Sequence, residues 1–265
     1  MSAQWKSAGD IKMKTARKTY KFLVATTVAA LASIQAEAKQ GSTVDTAIVL
    51  AVDNSIAVTA EEQVAQINAH VAALRSSAFV NRALSNDRCL GLHYLEWSGT
   101  GHAKTILPWT VICSAKQAAD AAASIEAAAG SGQTASGKAA ASPIDALEFA
   151  HEAMRTMPFA AKHKIINLST VYPKEKTQWP SETHDAYVRE GYTINAVAFV
   201  PDKAGMTRAA TTYLKQHVIA GKGAFAVTSP NLDLYPKLLL QSMLMATGER
   251  TDRRVPFRSK DLGGL

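Results

Sequence analysis

Three stretches of this 265-residue chain hold at most one charged residue each and show no helical spacing. They are TAIVLAV at 46–52, KIINLST at 164–170 and YTINAVAFV at 192–200. Continuous apolar runs of this length read as strands buried on both faces, which is the condition of a parallel sheet packed between two layers of helix. The segments between them have helical character. Over 60–84, Val64, Ile67, Val71 and Leu74 recur at steps of three and four, and Glu61 and Glu62 sit in the first turn, where the helix dipole favours acid. Residues 114–129 form an alanine-rich helix with Ser114 as its cap, and 143–157 form one that opens on Pro143. Shorter helices are predicted at 181–190 and 205–217, a last strand at 223–228, and a final helix at 231–246 that tolerates Pro236 near its start. GLHYLEWSG and AKTILPWTVI, within 90–112, read as a hairpin that adds one antiparallel strand at a sheet edge. The expected fold class is α/β: a doubly wound, mostly parallel sheet of about six strands with helices on both faces, in a single domain over 43–246.

The ends of the chain read differently. Lys12, Lys14, Arg17, Lys18 and Lys21 precede an apolar run from Phe22 to Ile34, followed by Ala36-Glu37-Ala38. Charge, then a short apolar run, then a small-x-small site is the order of a secretory signal, here 1–38, with an anchor helix as the alternative. A periplasmic or secreted location follows, with membrane contact only through an uncleaved signal. The formal charge of +7 includes +4 from that segment, and residues 247–265 form a flexible basic tail containing Arg250, Arg253, Arg254, Arg258 and Lys260. A mildly basic exported domain gives no reason to expect nucleic acid as a partner.

Two cysteines in an exported chain suggest a disulfide. Cys89 and Cys113 flank the hairpin symmetrically about residue 101, so an antiparallel pairing centred there sets them opposite one another. Strand register, which the sequence leaves open, decides between a bridge and two buried thiols.

Ligands of open parallel sheets bind beyond the carboxyl ends of the strands, which here selects the loops 53–59, 130–142 and 169–180. GQTASGKA at 132–139 is close to a phosphate-binding loop, but Ala139 stands where the Mg2+-binding hydroxyl belongs, and the segment follows a helix instead of a strand. Asp53, Asn54 and Ser55 end the first apolar strand; residues of these types either form a turn and cap the next helix or hold a ligand.

The order of elements and the strand-terminal Asp-x-Ser resemble the von Willebrand factor A fold. The resemblance is closer to an uncharacterised family of exported bacterial proteins containing that domain. It is carried by LAVDNSIAVTAEE (50–62), LEWSG (95–99), PWT (108–110), SPIDALEFA (142–150), YTINAVAF (192–199) and VIAGKGAF (218–225). Such domains usually carry a metal-ion-dependent adhesion site made of Asp-x-Ser-x-Ser, a Thr from a later loop and an Asp after the fourth strand. The resemblance implies that the site is degenerate here. Asp53 and Ser55 match, Ala57 replaces the second serine, and Lys138 and Val171 fall at the threonine and aspartate positions. Thr134 restores the threonine only with a longer loop, and Glu175 lies near the missing aspartate. One carboxylate beside a lysine suits an internal ion pair better than a divalent cation.

The function expected from this reading is that of an exported, non-enzymatic protein-binding module with a lost or weakened divalent-metal site and no cofactor. Its partner is an unknown protein in the envelope or outside the cell. Asn54, Lys138, Ser169 and Thr170 are the expected partner-binding loop residues. The alternatives are Mg2+- or Mn2+-dependent adhesion through Asp53 and Ser55, and a serine hydrolase using Ser55, Ser136 or Ser169, although no G-x-S-x-G elbow is present. The histidines, His93, His102 and His151 among them, show no metal-ligand spacing. Trp97 and Trp109 read as packing residues, and Glu96 as either a buried paired carboxylate or a solvent-facing one.

Overall fold

The computed structural model describes residues 43–99, 101–129, 142–171, 181–201 and 205–247, with backbone only at 181–184. Segment 1–38, the tail after Thr247, and Thr134, Ser136, Lys138 and Glu175 lie outside the described residues.

Six strands form one sheet: β1 (Thr43–Asp53), β2 (Leu90–Trp97), β3 (Ala103–Ile112), β4 (Ala160–Val171), β5 (Tyr192–Phe199) and β6 (Ala226–Ser229). Their order is β3-β2-β1-β4-β5-β6, parallel throughout except for β3, which runs antiparallel at one edge. The fold class read from the sequence is the one observed. The apolar runs are strands for the expected reason. Leu50 and Ala51, neighbours pointing to opposite faces of β1, are both inaccessible to solvent, because each face is covered by helices.

One face packs against α1 (Ala60–Arg75), α2 (Ser77–Ala83), α3 (Ala115–Ala128) and α7 (Tyr235–Thr247). The other packs against α4 (Pro143–Arg155), α5 (Ser181–Arg189) and α6 (Met206–His217). Caps set the helix starts. Thr59 with Glu62 and Ser142 with Asp145 form capping boxes, and Ser114 Oγ accepts from the Gln117 N–H.

The predicted helix over 60–84 is two helices. The chain turns extended at Ser76, and α2 then leaves in a new direction, where Phe79 and Ala83 reach the core. Val64, read as part of the apolar stripe, is 54 % exposed; Gln66 and His70 are buried in its place. The last strand and helix also begin later than expected, at Ala226 and Tyr235. Asn231 Oδ1 accepts from the Leu234 N–H in the turn that precedes α7.

Leu90 pairs with Ile112 across β2 and β3, which brings Cys89 and Cys113 opposite each other and into a disulfide. Two register shifts follow along the same pair, either side of Tyr94, near Pro108 on the edge strand. The bridge closes a loop with a sequence separation of 24, for which chain-entropy loss predicts about 3 kcal/mol. Reduction, or a Cys89→Ala/Cys113→Ala pair, is expected to lower stability by about that amount in urea titration. An unchanged midpoint would show that the bridge restrains nothing in the unfolded chain.

Candidate functional site at the carboxyl ends of the strands

β1 has β2 on one side and β4 on the other, so chain connections leave it in opposite directions. The crevice at such a switch point, beyond the strand ends, is where doubly wound sheets place ligands. Asp53 is the last residue of β1 and stands at this position.

Asp53 is 3 % exposed. Its Oδ1 accepts from the Ser55 N–H at 2.9 Å, and its Oδ2 accepts from the Thr170 hydroxyl at 2.8 Å, with the Val171 N–H more distant at 3.4 Å. Burial raises the carboxyl pKa above the ordinary aspartate value, opposed by these hydrogen bonds. The Ser55 hydroxyl leans toward the carboxylate closely enough to favour its charge, yet lies outside hydrogen-bond geometry. Buried, it has no partner among the described residues. Trp97 Nε1 and Ser98 Oγ, at the adjoining end of β2, are in the same condition.

Behind Asp53 lies a second layer. Gln66 Nε2 donates to the Asp53 carbonyl at 3.1 Å, and Asn54 Nδ2 donates to Glu96 Oε2 at 3.1 Å. Asn54 Oδ1 accepts from Gln63 Nε2, and the Asn54 N–H donates to the Trp97 carbonyl at 2.8 Å. Glu96 is thus the buried, paired carboxylate of the two sequence alternatives, at 1 % exposure. His70 Nδ1 lies 2.8 Å from the Gln66 carbonyl, so it carries the proton, and desolvation lowers the imidazole pKa to about 4. The Tyr94 ring meets His70 edge-on. Burial, with Glu96 nearby, raises the Tyr94 phenol pKa. On β4, Ser169 Oγ and Tyr235 Oη are 2.5 Å apart, and burial raises the tyrosine pKa as well.

Asp53, Asn54, Ser55, Ser169 and Thr170 therefore come together, and all five are buried. Asn54, Ser169 and Thr170, expected to touch a partner, are buried. Asn54 ties β1 to β2, Ser169 ties β4 to α7, and Thr170 donates a hydrogen bond to Asp53. They position the rim. The side chain at the rim that the sequence reading passed over is Ile56, 66 % exposed directly after Ser55. Gln63, Gln66 and His70 were also missed. Their spacing of three and four on one helix was the available signal.

A divalent ion such as Mg2+ needs about six oxygens at about 2.0–2.1 Å, some of them water. Among the described residues this place offers one carboxylate with both oxygens already accepting hydrogen bonds, and the Ser55 hydroxyl. Beside them lies Val171, a hydrocarbon side chain. No group of three or more His, Cys, Asp or Glu suited to a metal occurs among the described residues.

A family profile described as "Protein of unknown function (DUF1194)" matches residues 43–248. No curated protein matches the sequence. Solved structures with a similar fold include proximal thread matrix protein 1 from the mussel byssus, at 16 % identity and TM-score 0.54. That match covers 78 % of this chain and 49 % of the other; a further structure of it, with a zinc-occupied MIDAS motif, has TM-score 0.51. The pilus adhesin SpaC from Lactobacillus rhamnosus GG matches at 11 % identity and TM-score 0.52, covering 78 % and 31 %. A von Willebrand factor type A protein from Catenulispora acidiphila matches at 11 % identity and TM-score 0.46, covering 77 % and 43 %. The chain thus spans about half or less of these structures. The fold is von Willebrand A-like.

Proposed function

We propose, given that the chain belongs to the DUF1194 family of proteins of unknown function, that it is a non-enzymatic module that binds a protein partner at this rim without a divalent ion. The observation that carries the proposal is the state of Asp53: its charge is met inside the protein by the Thr170 hydroxyl and the Ser55 N–H. Beside it the rim presents Ile56, an exposed apolar side chain of the kind that anchors protein contacts. Two proteins sharing the fold are, by their names, a pilus adhesin and a thread matrix protein, the second also seen with zinc in its MIDAS motif. The proposal carries over the adhesin's binding role and leaves out the metal. Lys138 and Thr134, read from the sequence, and the export signal at 1–38 belong to the same reading. It places the partner in the cell envelope or outside the cell.

The hydrolase alternative has less support. Ser169 Oγ is engaged by Tyr235, and no histidine is hydrogen-bonded to Ser55 among the described residues.

Asp53→Asn separates a metal-dependent rim from a metal-free one. A carboxylate whose burial disfavours its charge is replaced by an amide that can still accept from Ser55 and donate to Thr170. Stability at pH 7 is expected to change by less than about 1 kcal/mol. Capture of the partner from cell-envelope extracts by crosslinking is expected to survive both this substitution and EDTA. Loss of capture in EDTA, restored by Mg2+ or Mn2+, would overturn the metal-free reading; loss on Ile56→Asp but not in EDTA would support it.

A further inference from the structure

The two edges of the sheet differ as templates for another strand. β3 is a poor one, with two register shifts along its pairing and Pro108, which has no N–H to offer. β6 has neither defect. Ala226–Ser229 contains no charge or proline and, among the described residues, pairs in unbroken register with β5 alone. Phe225 C=O accepts from the Ala196 N–H, and Ser229 C=O from the Val200 N–H. In a parallel ladder, alternate residues face the same neighbour, so Val227 also faces β5. The N–H and C=O groups of Ala226 and Thr228 are left directed at the open edge. Buried or half-buried backbone groups of this kind require partners.

A groove of about 580 Å³ runs along that edge. Ala226, Val227 and Thr228 form its floor, Ile219 and Lys215 its wall at the end of α6, and Met245 its wall on α7. The lining is mostly apolar; its polar side chains are Thr228, Gln241 and Lys215, and Lys215 is exposed with no ion-pair partner among the described residues. Thr228 Oγ1 is already paired with Thr211 Oγ1 at 3.0 Å, so the floor presents hydrocarbon and backbone.

We propose that this groove binds an extended strand of a partner protein, which adds to β6. Its main chain pairs with Ala226 and Thr228, small apolar side chains pack against Ile219 and Met245, and a carboxylate faces Lys215. Backbone pairing supplies affinity in such complexes, and the pocket and charge supply selection. The surface lies three strand positions from β1, so it can hold a partner whether or not the rim at Asp53 does.

The test uses synthetic peptides of alternating valine and threonine with one central glutamate, and a second set with lysine in its place. Binding to the full chain is followed by fluorescence polarisation and by amide hydrogen exchange at Ala226 and Thr228. The glutamate peptide is expected to bind and to slow exchange at both amides. Lys215→Glu, an exposed change that leaves the fold intact, is expected to weaken it about tenfold, the scale of one lost charge pair, and to turn preference toward the lysine peptide. Ala226→Pro removes an outward donor and spares the ladder to β5, and is expected to abolish binding; Lys215→Glu keeps the test valid should that variant not fold. Absence of binding, or binding indifferent to Lys215→Glu, would overturn the proposal. So would protection of both amides without peptide, if it grows with protein concentration or vanishes when the chain is ended at Thr247. Those outcomes would assign the groove to a second copy or to the chain's own last residues.

Discussion

Replacing Gly221 by alanine is expected to destabilise the fold by about 4 kcal/mol, a large share of the stability of an ordinary domain. Gly221 has φ +89°, and a Cβ there would sit 2.3 Å from the Tyr192 carbonyl oxygen and 3.1 Å from Thr193 Cα. Both are backbone atoms, so no rotamer change relieves the overlap. Nor can the segment retreat. Ala220, its neighbour, exchanges two hydrogen bonds with Ile194, at 2.7 and 3.1 Å, and so is clamped to the start of β5. Left-handed backbone costs a residue with a side chain about 1–2 kcal/mol, and forced overpacking adds about 1–3 more. Gly205 separates the two contributions. Its φ is +79°, but nothing among the described residues lies within 4 Å of its added Cβ. Gly205→Ala is therefore expected to cost about 1 kcal/mol. Urea titration of the two variants checks this, and equal losses would show that the close approach at Gly221 carries no penalty.

Acid is expected to be the second large perturbation, removing about 4 kcal/mol between pH 6.5 and pH 4. Desolvation lowers the His70 and His93 pKa values from 6.5 to about 4. The folded chain therefore keeps both imidazoles neutral where the unfolded chain already protonates them. As pH falls through this window the unfolded state binds more protons and gains in population; below about 4 both states are charged and the loss is complete. At about 1.4 kcal/mol per pH unit, His70 accounts for about 3 kcal/mol. His93 contributes less, because Thr105 beside it lies on the edge strand, nearer to water. Asp53 acts in the opposite sense. Its raised pKa makes the folded state take up a proton before the unfolded one, which flattens the acid end of the curve. His70→Asn keeps a donor for the Gln66 carbonyl and removes the titration, so its stability between pH 6.5 and 4 is expected to vary by about 3 kcal/mol less than wild type. A slope unchanged by that substitution would assign the acid sensitivity to other groups.

The element order was readable because burial on both sheet faces leaves its mark locally. A strand covered by helices on each side is apolar along its length, as AIVLAV at 47–52 is, and α1, α3 and α4 bring their own caps. The disulfide was half readable. Symmetry about residue 101 placed the two cysteines opposite, and the observed pairing of Leu90 with Ile112 supplied the register. The helix over 60–84 misled for an equally physical reason. Val64 and Ile67 fit one stripe, but α1 turns Gln66 inward, because the Asp53 carbonyl at the end of β1 needs a donor, and His70 is buried one turn on, bonded to the Gln66 carbonyl. Composition alone ranks glutamine as a surface residue and histidine as intermediate.

At the rim, Asp53 and Ser55 were visible as residues out of place at the end of an apolar strand. The direction of their neighbours was not. Asn54, Ser169 and Thr170 are short polar residues that serve equally well at a surface or in a buried hydrogen bond. Which they do depends on Glu96, Tyr235 and Asp53, which lie between 42 and 117 positions away in the chain.

The linear sequence by itself determined the alternation of strand and helix, the helix caps, and an acidic residue at the end of the first strand, since each follows from interactions within a few residues. Tertiary structure decided the strand order, the cysteine register, the inward turn of Asn54 and Thr170, and the open edge at β6. Those depend on which distant groups share the same small volume, and only the packed chain brings them there.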